Sequence, residues 1–140
     1  MPQRDSHDHA LLLLSKARTD QLVLDKLVDD SEIADDAIGF HAQQAVEKLL
    51  KAVLASRRVE YPRVHDIDRL VDLLEAHDGS LPPHARQLDE LTPWATQLRY
   101  DELLDMERLD RQGAQQLVEV VFKWAAALRG TTPRLRRRPT

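Results

Sequence analysis

Apolar residues recur at helical spacing along most of the chain. Between Asp8 and Val28 there is neither Gly nor Pro, and Leu13, Ala17, Leu24 and Leu27 or Val28 keep one side apolar, which predicts a helix over 8–28. Asp29-Asp30-Ser31 interrupts the pattern, and Asp30 or Ser31 is expected to cap a second helix over 32–56. Its stripe of Ile38, Ala42, Ala45, Leu49, Ala52 and Val53 is the best defined in the chain. The segment Arg57 to Val64 holds Pro62 and reads as a loop. Ile67, Leu70, Val71 and Leu74 follow the i, i+3, i+4, i+7 rule, so a third helix is predicted over 66–77, ending near Gly79. Leu88, Leu91, Ala95 and Leu98 predict a fourth over 83–99 with a kink at Pro93. Ala114, Leu117, Val118, Val121, Ala125 and Leu128 predict a fifth over 112–129.

These elements describe one all-α domain, an antiparallel up-and-down bundle of about five helices over residues 8–129. Residues 1–7 are expected to be an N-terminal tail, and 130–140, with two Pro and four Arg, a disordered basic one. Composition agrees with the fold class: Leu and Ala number 38 residues against 19 for Val, Ile and Thr together. The longest apolar run, Ala10 to Leu14, is far below the roughly 18 residues of a membrane span, so no membrane helix is expected. The opening residues lack the basic and long apolar regions of a secretory signal, and the expectation is a cytoplasmic protein.

Several chemistries are excluded outright. The chain has no Cys, which removes disulfides, thiolate metal sites and Cys nucleophiles. Its four Gly stand too far apart for a dinucleotide or P-loop phosphate cradle. No metal or other cofactor is expected. Without the four tail arginines, 16 basic groups face 24 acidic ones, so any nucleic-acid contact must be local rather than spread over the surface.

The second predicted helix carries a polar stripe as well as its apolar one. At 100° per residue, Phe40, Gln44, Glu47, Lys48 and Lys51 share an arc of about 100°, with His41 at its margin. One reading makes Glu47 and Lys51 an ordinary exposed i, i+4 pair worth about 0.2–0.5 kcal/mol. The other makes the stripe a second working surface, because a Phe among polar residues is an exposed apolar patch that meets a ligand or a second copy of the chain. A homodimer burying roughly 1,200–2,000 Å² is the assembly this second reading predicts.

The run Phe40-His41-Ala42-Gln43-Gln44-Ala45-Val46-Glu47-Lys48-Leu49-Leu50-Lys51-Ala52 is followed by His65-Asp66-Ile67, then by Leu91-Thr92-Pro93-Trp94-Ala95 and by Arg99-Tyr100. In this order and spacing the sequence resembles the HEPN family (higher eukaryotes and prokaryotes nucleotide-binding) over about residues 8 to 129. The resemblance implies a dimerising helical bundle that binds RNA or a nucleotide, in prokaryotes commonly paired with a minimal nucleotidyltransferase in a system of the toxin–antitoxin type. It also implies, for many members, metal-independent RNA cleavage by an Arg and a His four to six residues apart on the last helix. There an imidazole takes the 2′-hydroxyl proton while the Arg stabilises charge on phosphorus.

This sequence departs from that signature, since no His follows His84. Arg4 with His9 and Arg58 with His65 match the spacing elsewhere, at the rate of about two matches that chance gives. The alternative to an RNA-acting toxin component is therefore a non-catalytic nucleotide- or RNA-binding homodimer. By resemblance, Lys48, Lys51, His65 and Arg99 are the candidate phosphate-binding residues, supported by Gln44, Glu47, Asp66 and Tyr100. For His65 the competing reading is a helix-capping residue, and for Arg99 a partner of Glu47 or another acid.

Overall fold

The computed structural model describes residues 3–77, 79–95 and 108–137. It contains helices α1 (Gln3–Leu27), α2 (Asp35–Ser56) and α3 (Ile67–His77), a 3-10 helix (Gln87–Trp94) and helix α4 (Arg111–Arg137). No strand occurs among the described residues. The all-α bundle expected from the periodicity is thus the observed fold class. No helix is long and apolar enough to cross a membrane, among the residues described.

Helix α2 is the hub, packing against α1, α3, the 3-10 helix and α4. Leu49, Leu50, Leu54, Ile38, Val46 and four alanines on it are buried, which is why its apolar arc is the clearest in the sequence. Leu24 and Ala17 of α1, Leu70 and Leu74 of α3, Leu88 of the 3-10 helix, and Val118 and Val121 of α4 complete one continuous core. Gly39 lets Trp94 lie directly on α2, since a Cβ there would stand 2.5 Å from the indole. That contact explains the Trp-containing motif in packing terms.

Element limits differ from expectation where turn chemistry competes with periodicity. Helix α1 begins at Gln3, so the expected tail 1–7 is helical from its third residue. Helix α2 starts at Asp35 rather than 32, with Ala34 as its N-cap and no side-chain cap. Asp30, expected as that cap, instead accepts from Glu32 N at 2.9 Å and closes the preceding turn. The expected fourth helix is a 3-10 segment of eight residues, because Pro82 and Pro83 precede it and Pro93, inside it, cannot donate to an α-helical ladder. Its expected continuation to 99 lies outside the described residues. Helix α4 continues past Gly130 to Arg137, so the expected tail begins in helical backbone.

The ends of the elements are tied by side chains. Arg111, at the start of α4, donates from Nε to Asp35 Oδ1 at 2.7 Å and reaches the carbonyls of Asp30 and Ile33 in the α1–α2 turn. The Asp35 carboxylate also accepts from Leu109 N at 3.1 Å. Burial alone would raise its pKa, yet the Arg111 and Leu109 hydrogen bonds and the nearby Arg108 charge hold it below the ordinary range. The first turn of α3 is capped three times over: Asp66 Oδ1 and Asp89 Oδ1 accept from Asp68 N at 3.1 and 3.2 Å, and Thr92 Oγ1 accepts from Ile67 N at 3.1 Å. Thr92 and Asp89 therefore lock the 3-10 helix onto α3.

Candidate functional site

Glu47 lies on α2 with its side chain buried, and three donors converge on it. Gln43 Nε2 and His65 Nδ1 reach Oε1, both at 2.9 Å, while Lys51 Nζ reaches Oε2 at 2.8 Å. Gln43 is itself wholly buried and uses its second amide proton on the His65 carbonyl at 3.0 Å. Gln44 Nε2 donates to Gln43 Oε1 at 2.8 Å, so the Gln43 amide is fully satisfied. Lys51 also lies over Tyr61, its Nζ 5.5 Å from the ring centroid, and the Tyr61 hydroxyl is hydrogen bonded to His9 Nε2 at 2.8 Å.

Burial would raise the Glu47 pKa, but the hydrogen bonds from Lys51, Gln43 and His65 outweigh it and hold the carboxyl below its ordinary value. An ionised carboxylate only accepts, so His65 presents a proton on Nδ1 to Glu47 and turns its Nε2 edge away from it. The His65 side chain is 58% exposed, which leaves that edge of the ring accessible. Burial and the Glu47 charge together raise the Tyr61 pKa. The arrangement can orient an imidazole, and it keeps a compensated, buried charge midway along α2.

One turn away a second buried carboxylate repeats the theme. Asp20 of α1 accepts from Lys48 Nζ at 2.6 Å and is 3.0 Å from His41 Nδ1. This pair of contacts crosses from α1 to α2, and Phe40 meets the His41 ring edge-on at a centroid distance of 5.4 Å.

Lys51 and His65 are thus brought together with Glu47, and Gln44 reaches the same cluster through Gln43. Lys48 turns instead to Asp20. Asp66 caps α3, whereas His65, for which capping was one expectation, points to Glu47. Arg99 and Tyr100 lie outside the described residues. The reading of Glu47 and Lys51 as an ordinary exposed pair is corrected, because both side chains are mostly buried. Gln43, Asp20, Tyr61 and His9 escaped sequence reasoning. Gln43 and Asp20 did leave a trace, since each is a polar residue in the apolar phase of its helix. His9 and Tyr61 left none, being 52 residues apart.

No group of three His, Asp or Glu is placed to hold a metal ion among the described residues. Fold and site together define a small all-α module organised around a central helix with a buried polar hub on its otherwise apolar scaffold. The HEPN domain model matches residues 10–128, and the chain belongs to the HEPN domain family. No curated protein and no solved structure matches it.

Proposed function

We propose that this chain is the HEPN component of a nucleotidyltransferase-associated pair of the toxin–antitoxin type, and that as a homodimer it binds RNA or a nucleotide along the polar face of α2. The observation that carries this reading is the meeting of Lys51 and His65 at buried Glu47, with Lys48 and exposed Phe40 on the same side of the helix. Buried charge costs stability relative to apolar packing, and its concentration on one helix face supports a working role for that face. In this proposal phosphate is met by the exposed His65 ring and by Lys48 and Lys51 beside their carboxylate partners Asp20 and Glu47, and Arg99 is a fourth group named by the family resemblance alone.

A second reading, RNA cleavage at an atypical site, is favoured by one observation: His65 is anchored through Nδ1 with its other edge exposed, the arrangement an imidazole needs to accept a hydroxyl proton. Incubating the purified protein with end-labelled RNA in EDTA separates the two, through retention on a filter and cleavage on a gel. Retention of intact RNA supports the binding module. Cleavage lost in His65→Gln supports the second reading, and neither retention nor cleavage of RNA or nucleotide overturns both.

A further inference from the structure

Helix α1 has two apolar faces, and only one of them is covered. Ala10, Ala17 and Leu24 turn inward. On the opposite side Leu11, Leu12 and Leu22 are 41%, 52% and 41% exposed, three of the four large apolar side chains exposed among the described residues. Such a face is ordinarily polar on an outer helix.

The outward residues Asp8, Leu12, Ser15, Thr19, Leu22 and Lys26 are all exposed and follow one another at intervals of four, three, four, three and four. At 100° per residue they fall within an arc of about 80°, the spacing of a coiled-coil seam. The seam is also self-complementary. Turned end for end about an axis level with Ala17, Asp8 of one copy meets Lys26 of the other, Leu12 meets Leu22, and Ser15 meets Thr19. Opposite charges then close both ends, leucines pack inside them, and the two small hydroxyl residues at the centre let the backbones approach. Within one chain Asp8 and Lys26 are about 27 Å apart along the helix and cannot interact. Neither forms an ion pair with another described residue.

We propose that the outer face of α1 is where a second copy of this chain docks, with the two α1 helices antiparallel about a twofold axis at Ala17. The assignment rests on the homodimer part of the proposed function and adds the surface, which is α1 rather than the Phe40 side of α2. Isologous pairing of this kind makes each seam residue count twice.

The test is sedimentation equilibrium of the full chain at low salt over about 1–100 µM, a range in which the mass of a reversible dimer depends on concentration. The wild type is expected to dimerise, Leu22→Glu to weaken association by 100-fold or more, and Phe40→Glu to leave it within about twofold. Asp8→Lys and Lys26→Asp should each weaken it by roughly fivefold to tenfold, since each sets two like-charge contacts facing. Combining them should restore it, a rescue that no effect within a single chain produces. Circular dichroism confirms that the exposed-site variants stay helical. Additive rather than rescued charge variants, or a Leu22→Glu protein that dimerises like the wild type, overturn the seam. A monomeric wild type overturns it too, while RNA retention by that monomer would leave the binding reading standing. A dimer that fails to retain RNA or nucleotide sinks the binding reading alone.

Discussion

Two Glu–Lys pairs at the same i, i+4 spacing sit in this molecule, and they do different things. Glu47 and Lys51 on α2 are 2.8 Å apart with side chains 6% and 13% exposed, whereas Glu119 and Lys123 on α4 are 3.0 Å apart at 55% and 75%. Distance barely separates them, and environment does. Glu119 faces water, which screens the pair and solvates both ions when they part. Glu47 faces Gln43, His65 and the underside of the Tyr61 loop, so parting from Lys51 would leave charge where water hardly reaches. A helical spacing rule therefore names possible partners, and tertiary neighbours decide what the partnership is worth.

The contrast is sharpest on deletion. Glu47→Leu strands buried Gln43 and mostly buried Lys51 and should cost about 3 kcal/mol in chemical denaturation, the lower end for breaking a buried pair. Glu119→Leu should change stability by less than about 0.5 kcal/mol. If both cost the same, burial is not what distinguishes the pairs. A smaller effect is read from double-mutant cycles. The Glu47–Lys51 coupling should exceed about 1 kcal/mol, while that of Glu119–Lys123 should stay near the 0.3–0.5 kcal/mol of an exposed helix pair.

Acid provides a third comparison, with its sign fixed by the lowered Glu47 pKa. A group whose folded pKa lies below its unfolded value stabilises fully above the unfolded value, 4.5 for Glu, and loses that contribution as pH falls through the folded one. The wild-type advantage over Glu47→Gln should therefore be constant near neutrality and shrink on acidification below about pH 4.5. Denaturation midpoints of the two proteins against pH check this, and an advantage that grows in acid would reverse the assignment. Asp35, held low by Arg111, adds an acid-labile contribution of the same sign to both proteins.

Periodicity made much of the fold legible, and its failures have physical causes. Helix α3 is found at Ile67–His77 against the expected 66–77, and α2 ends at Ser56 as expected, since both carry an unbroken apolar stripe. The start of α2 and the nature of the fourth helix were not legible, because they depend on which partner an Asp chooses and on three prolines. In the site, Glu47, Lys51 and His65 could be named from two motifs, the Phe40–Ala52 run and His65-Asp66-Ile67, joined by the family resemblance. Asp20 could not be named, because Lys48 and His41 meet it from another helix, 28 and 21 residues away in sequence.

The polar face of α2, rather than positive charge in general, is proposed to receive RNA or a nucleotide. Titrating labelled RNA against the wild type, Lys48→Ala and Lys123→Ala isolates it, because the two variants lose the same charge from different helices. Affinity in Lys48→Ala should fall by about 1–3 kcal/mol, the scale of a lost charge-assisted hydrogen bond, while Lys123→Ala binds like the wild type and both retain their fold. Equal losses in the two variants, or unaltered binding by Lys48→Ala, would contradict it.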